Sequence, residues 1–523
     1  MTPPDPSEPL VALVGAGPGD PGLLTLRAAE LLAAADLILY DQLVPRRLLD
    51  FANPAAETVC VRDLPTQPGD RYPLIYGRMI DAAKAGKRVV RLKGGDPLVF
   101  GRGGEEAEAL RDSGVPYEIV PGVTAALAVA AFLDLPLTHR NHTSAVALVT
   151  GHELPNKPGT KLDWPALARF PGLLVIYMGM ARLPVIVAEL VKHGKPAGTP
   201  AVICERASTG QMRSVSTTLS ELEGVRRAAG LEAPGLILIG EAARHRHPVS
   251  WFEGRPLFGR RVLVTRPRHQ AEGMMRAFER LGAVPFSLPT LDIHPPADPA
   301  PLEAALAKLR QPDGGYDWLV FTSANGVHAV VRRLAHLGRD LRDLGRVKLA
   351  AIGPKTAAAL REYHLTADVV PTAFIAEALV ESLREHVARK RVLLARANRG
   401  RDHLPVELSK IAAVEQVTAY DQVDAVDPDD EAFAALRRGE IEFITLSSSN
   451  AARALLARFD DTMRGRVERG EVKLVAISPE TGRVIRSLGF PVAAEAEVYT
   501  ADGLIAAVRR LAADEATSDP SAR

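Results

Sequence analysis

Residues 88–106 read RVVRLKGGDPLVFGRGGEE, and this stretch decides the fold class. An apolar, β-branched run (Val89, Val90, Leu92) ends at the adjacent glycines Gly94 and Gly95. A second pair, Gly103 and Gly104, opens an Ala/Glu/Leu-rich segment that reads as a helix. Strand, glycine turn and helix make the repeating unit of an α/β protein. Similar runs stand at 10–14, 37–40, 145–150, 173–178 and 236–239, each followed by a turn and a helix-forming segment. The pattern predicts mainly parallel sheets, in which ligands sit beyond the carboxyl ends of the strands. Residues just after each run are therefore the candidates for chemistry.

The chain has 523 residues, which at roughly 100–200 residues per domain means three or four folding units. With 47% hydrophobic, 24% charged and 5% aromatic residues it is neither disordered, collagenous nor a coiled coil. Lys and Arg number 64 against 63 Asp and Glu, a net charge of +1. That disfavours nucleic acid as a partner and leaves any acidic ligand to local arginines. Two cysteines, Cys60 and Cys204, are too few for a disulfide scaffold or a cysteine-rich metal site. The longest apolar stretch, 120–137, contains prolines, glycine and Asp134, and reads as a buried helix with its flanks rather than a membrane span. Residues 1–8 are acidic and proline-rich without a signal-peptide core, so they read as a disordered tail and the protein as cytoplasmic. Residues 247–259, within the aperiodic stretch 244–261, read as a linker, and 512–523 as a second disordered tail.

The second half repeats itself. VKLAAIGPKT at 347–356 matches VKLVAISPET at 472–481, and FTSAN at 321–325 matches LSSSN at 446–450, both at an offset of 473 − 348 = 125. A looser pair is RVLVTR at 261–266 with RVLLAR at 391–396. Two separated motifs at one offset predict two similar α/β lobes facing each other across a cleft.

In the first half, the run at 10–14 enters Gly15-Ala16-Gly17-Pro18-Gly19-Asp20. A dinucleotide fingerprint needs glycine where Asp20 stands, and Pro18 removes a phosphate-binding N–H. A loop against a ligand other than phosphate ranks first, a plain turn second and dinucleotide binding last. Asp96 can accept from a ribose or an amine. Glu105 and Glu106, in the first turn of the next helix, read as carboxylates favoured by the macrodipole. Asp41 follows a strand end, either as a general base or as a turn cap. In the second half Thr322, Ser323, Asn325, Lys355, Thr356, Ser448, Ser449, Asn450 and Thr481 stand where strands end and helices begin. Singly these are ordinary N-caps; together they ring a cleft with hydroxyls and free N–H groups suited to carboxylates. Arg266, Arg396, Arg399 and Arg401 add positive charge. No catalytic triad, paired buried carboxylates or metal ligands are nominated.

GAGPGD, Tyr40-Asp41, RLKGGDPLVFGRGGEE, VPGVTAA (120–126), PLTHR (136–140), VTGH (149–152), YMG (177–179) and GTP (198–200) occur in order. Together they resemble the tetrapyrrole methylases, and specifically uroporphyrinogen-III C-methyltransferase, over residues 10–243. The resemblance implies two α/β domains, at 9–121 and 122–246, with S-adenosylmethionine between them. It places cofactor contacts on Pro18, Gly94, Gly95, Asp96, Val99, Thr124, Ala125, Met178 and Ala207, and the proposed general base on Asp41. It also implies a homodimer. One block departs: the position of the family's lysine falls at Asp63, with Arg62 alongside. Either Arg62 or Lys93 then serves the substrate carboxylates, or regiochemistry or rate is altered.

VLVTRP (262–267), FTSANGV (321–327), AIGPKTA (351–357), AEAL (376–379), Leu394-Ala395-Arg396, Tyr420 and Ser448-Ser449-Asn450 resemble uroporphyrinogen-III synthase over 258–510. The resemblance implies a bilobal unit at 260–511 with interleaved chain order. It implies cofactor-free closure of hydroxymethylbilane with inversion of one ring, and a role for Tyr420 in the departure of hydroxide. A packed cross-lobe aromatic is the alternative for Tyr420. The two resemblances name consecutive steps on polycarboxylate tetrapyrroles, with no nucleic acid and no membrane involved. Two alternatives remain: a methylase of a different tetrapyrrole, and a C-terminal half that senses rather than catalyses.

Overall fold

The structure is a computed structural model that describes residues 10–65, 71–152, 162–309, 311, 315–373, 375–400 and 402–518. Two compact units divide the chain near residue 261, the first also taking in Ala277–Val284 and the residues from Ala512.

The first unit holds two five-stranded sheets. β1 (Val11–Gly15), β2 (Leu37–Tyr40), β3 (Glu57–Cys60), β4 (Val89–Lys93) and β5 (Tyr117–Val120) lie in the order β3-β2-β4-β1-β5, all parallel. β1, β2 and β4 are buried along their whole length, as continuous apolar runs in a helix-covered parallel sheet should be. β6 (Val146–Thr150), β7 (Leu173–Tyr177), β8 (Pro200–Glu205), β9 (Arg213–Thr218) and β10 (Gly235–Ile239) lie in the order β6-β7-β10-β8-β9. Here only β6–β7 is parallel; β7–β10, β10–β8 and β8–β9 are antiparallel. The expectation of mainly parallel sheets fails for this one. Buried apolar runs look alike in central strands of either direction, and direction is set by connections that composition does not encode.

The second unit holds two further sheets. β11 (Arg261–Val264) and β12 (Val284–Ser287) begin the first lobe. The chain then crosses to build the other lobe from β13 (Leu291–His294), β14 (Trp318–Phe321), β15 (Lys348–Ala351), β16 (Arg391–Ala397) and β17 (Ala413–Asp424). It returns with β18 (Phe443–Leu446), β19 (Lys473–Ala476) and β20 (Ala494–Glu495). The sheets run β12-β11-β18-β19-β20 and β13-β17-β16-β14-β15. The sequence repeat lands on β14/β18 and β15/β19, and β16 pairs with β14 as β11 pairs with β18.

Two boundary expectations change. Residues 247–259 carry turns but are no bare tether. Phe252 and Leu257 are buried, Phe252 packs edge-on to Phe132, and the Trp251 indole donates to Ala131 O at 2.8 Å. Residues 512–518 continue the helix Ala501–Ser518, with Ala512 buried, rather than fraying. The N-terminal tail, Arg401 and residues 519–523 lie outside the described residues. No helix among the described residues is long and apolar enough to cross a membrane.

Candidate functional site

In the first unit the loops after β1, β4 and β5 meet backbone to backbone. Gly17 and Gly95 pair as an isolated bridge, Gly17 N donating to Gly95 O at 3.1 Å and Gly95 N to Gly17 O at 2.8 Å. Both carry positive φ, +73° and +66°, the left-handed region open to glycine. A Cβ on Gly122 would lie 2.1 Å from Gly95 O and 2.8 Å from the Gly15 Cα. Only glycine permits this floor. Asp96 fixes it further, accepting from Leu98 N at 2.8 Å and Gly122 N at 3.1 Å. Asp20 caps its own turn, accepting from Gly22 N, while Ser208 bonds Asp20 N at 3.2 Å.

Tyr177 at the end of β7 is tied to the start of the helix Ala125–Phe132. Its hydroxyl accepts from Ala126 N at 3.0 Å and lies 2.7 Å from the Thr124 hydroxyl. Tyr177 lay inside a quoted motif but was not singled out. Its neighbour Met178 has φ +53° and is half exposed. Phe100, Arg102, Arg206 and Ser208 are likewise non-glycine residues at positive φ, and such strain persists where surrounding structure over-determines it. Pro18, Val99 and Ala125 are half-buried, Gly94 is exposed and Ala207 is buried.

Beneath the end of β4 runs a chain of four charges. The Arg91 guanidinium is paired with Asp41, donates to Glu106 Oε1 at 3.0 Å and reaches Leu39 O and Leu92 O at 3.4 and 3.3 Å. Lys93 donates to the same Glu106 oxygen at 2.8 Å. Arg91 and Lys93 are each 2% exposed and Glu106 is fully buried, so two cations and two anions compensate one another. Burial works against the Arg91 charge, yet Glu106 and Asp41 hold its pKa above the ordinary value. Burial, then repulsion from Arg91, holds Lys93 below its own. Two expectations are corrected here. Lys93 is spent on Glu106 and closed from solvent, so it offers a substrate no free charge. Glu106 is not a surface cap; Glu105 keeps that role, exposed and 3.1 Å from Arg102. Arg62 stands exposed on the short turn Val61–Asp63.

In the second unit the repeated asparagines bridge the lobes. Gln270 donates to Asn325 at 3.0 Å, and Asn450 donates to Gln422 at 2.9 Å. Both glutamines escaped the sequence reading because their partners lie 55 and 28 residues away. Ser323 and Ser448 cap their helices through Gly326 N and Ala451 N; Thr322 and Ser449 are half-buried beside them. The buried Tyr420 hydroxyl sits 3.0 Å from the Ser323 hydroxyl. Burial pushes its pKa up against the pull of Ser323, Gln422 and Asn325, so it stays protonated as a donor. Burial lowers Arg266; burial and then Arg266 lower Lys355, with Asp502 opposing. Arg396 is also lowered by burial, and its guanidinium fills the space a side chain at Gly400 would take, 1.8 Å from that Cβ. Two further expectations are corrected. Thr356 and Thr481 are 3% and 2% exposed, too enclosed for their side chains to face a ligand. Arg399 is committed to Asp424 at 2.5 Å.

Fold and candidate sites define an α/β protein with two separate candidate ligand sites, one glycine-floored and one bilobal. The profile of the tetrapyrrole (corrin/porphyrin) methylases matches residues 10–223, and that of uroporphyrinogen-III synthase HemD matches 272–506. The porphyrin biosynthesis protein HemD of Ruminiclostridium josui is 32% identical over 455 residues, covering 86% of this chain and 89% of that one. The siroheme synthase of Pseudomonas fluorescens (strain Pf0-1) is 45% identical over 245 residues, 47% of this chain and 52% of the relative; the chain thus spans about half of it. Among solved structures, uroporphyrin-III C-methyl transferase from Thermus thermophilus complexed with S-adenyl homocysteine is 44% identical at a TM-score of 0.38, covering 45% of this chain and 98% of that one. The chain belongs to the tetrapyrrole-biosynthesis family in which a tetrapyrrole methylase is joined to a uroporphyrinogen-III synthase. It is a bifunctional enzyme acting on small-molecule tetrapyrroles.

Proposed function

We propose that the C-terminal half closes hydroxymethylbilane to uroporphyrinogen III with inversion of ring D. The N-terminal half then places two methyl groups from S-adenosylmethionine on that product to give precorrin-2, at the branch to sirohaem and cobalamin. The observation that carries this reading is the 455-residue match spanning both halves, since the product of one reaction is the substrate of the other.

The residues present fit S-adenosylmethionine: a glycine floor that lets a ligand approach the backbone, a proline where a phosphate site needs an N–H, and the exposed Met178. When bound, the cofactor supplies an electrophilic methyl group. Pro18, Gly94, Gly95, Asp96, Val99, Thr124, Ala125, Met178 and Ala207 are assigned to holding it, and in-line transfer asks mainly for positioning. Asp41 takes the proton that the macrocycle loses once the methyl group has been added, its carboxylate aimed by Arg91. Arg62 meets a substrate carboxylate. In the other half, which needs no cofactor, Arg266, Lys355, Arg396 and the helix starts at Thr322, Ser323, Asn325, Ser448, Ser449 and Asn450 hold the substrate carboxylates. Tyr420 donates to the departing hydroxide. The chain acts as a homodimer through the methylase half, which sedimentation tests directly.

Methyl-labelled S-adenosylmethionine and uroporphyrinogen III, given to the full chain, should yield a doubly labelled tetrapyrrole. No label above background would remove the methylase assignment, and label on a different tetrapyrrole alone would replace it.

A further inference from the structure

We propose that His139, His142 and His245 form a binding site for a borderline divalent cation of the Zn2+ or Co2+ class. Nothing in the methylase or synthase chemistry above uses these side chains together. His139 and His142 stand three residues apart, but His245 follows 245 − 142 = 103 residues later, so sequence spacing alone nominates no site.

One ligand atom from each histidine lies within 4.8 Å of the others. The ring centroids are 4.7, 4.5 and 4.6 Å apart for 139–142, 139–245 and 142–245. The backbone under all three is fixed. His139 N donates to Thr143 O at 2.8 Å, while His142 N and Thr143 N both donate to His139 O, at 3.0 and 2.9 Å, closing a tight turn over the buried Thr143. His245 ends the short helical turn Glu241–His245, anchored by the buried Ala242 and Ala243. The next side chain, Arg246, is clamped by Glu253 and Ser214.

The donor set is three imidazoles with no carboxylate and no thiolate among them, which suits Zn2+, Co2+, Ni2+ and Cu2+ rather than Ca2+ or Mg2+. His139 is half-buried and the other two are exposed, which leaves an entry path and room for water as a fourth ligand. Zn–N bonds of about 2.0–2.1 Å need donor atoms closer than the stacked rings of His139 and His245 now set them, and the broad χ2 torsion of imidazole supplies that rotation. His139 Nδ1 accepts a 3.2 Å bond from Asn141 N. Binding through Nε2 moves the ring proton to Nδ1 and releases that exposed N–H to water. A bound ion would tie the 139–143 turn to the start of the 244–261 segment.

The test uses the full chain, free of any histidine tag and stripped by chelator, titrated with Zn2+ by calorimetry and with Co2+ by visible absorption. The expected result is one ion per chain with a Co2+ spectrum of nitrogen coordination. His142→Gln and His245→Gln should each weaken binding about 10-fold or more, and His336→Gln, an exposed histidine of the other unit, should not. No uptake by the parent chain, or uptake undiminished in the His142→Gln, His245→Gln double variant, overturns the site.

Discussion

The two halves solve ligand binding in opposite ways. The candidate methylase site is built on a floor of backbone against backbone, Gly15, Gly95 and Gly122, next to a chain of compensating charges that runs from the half-buried Asp41 to the buried Lys93. The candidate synthase site is a cleft between lobes, spanned by the side-chain amide bonds Gln270–Asn325 and Asn450–Gln422. The difference follows the chemistry. In-line methyl transfer depends on fixed geometry, whereas folding a linear substrate onto itself needs lobes that can part at small cost. Substitutions in the first half should therefore damage stability and activity together, and those in the second activity alone.

The largest effect is expected at Glu106. Glu106→Ala takes away the Lys93 partner and leaves Asp41 alone against two buried cations, at about 3–5 kcal/mol. The denaturation midpoint of the first unit should fall and methyl transfer vanish, while cyclisation persists. An unchanged midpoint would break the contrast. Gly122→Ala comes next, because its Cβ would meet the Gly95 carbonyl at 2.1 Å. About 1–3 kcal/mol of stability should go, with methyl transfer, as calorimetry and the label assay report. Gly400→Ala is the counterpart in the other half. It collides only with the flexible end of Arg396, so Tm should hold while KM for hydroxymethylbilane rises about 10-fold, one charge-assisted hydrogen bond's worth. A fall in Tm instead would show that the synthase cleft is as rigid as the methylase floor.

Tyr420→Phe should slow cyclisation about 10-fold, below the roughly 100-fold floor of general acid catalysis, because the substrate ionises readily unaided. Least in size is a pH effect. Lys355 carries its charge below a pKa lowered from 10.5 and loses it as pH rises through that value. KM for the linear substrate should climb with pH before 10.5 is reached, and Lys355→Arg should flatten the climb. A climb that survives the arginine variant belongs to another group.

Local signals were legible. The 125-residue offset foretold β14/β18, β15/β19 and the paired caps Ser323 and Ser448, because strand ends and N-caps are written in neighbouring residues. What stayed hidden is pairing at a distance. Glu106 looks like any first-turn glutamate until β4 brings Arg91 and Lys93 beneath it. Lys93 and Arg399 seemed to be free cations until their carboxylates were located. The antiparallel β8, β9 and β10 read as the same apolar runs as their parallel neighbours, and the partner of His139 and His142 lies beyond a whole sheet.

Coupled turnover tests the central claim most directly: the full chain, hydroxymethylbilane and S-adenosylmethionine, with products resolved by isomer and methyl count. The account predicts a dimethylated product of the type III isomer formed without added enzymes. Only unmethylated type I isomer, the product of spontaneous closure, would contradict it.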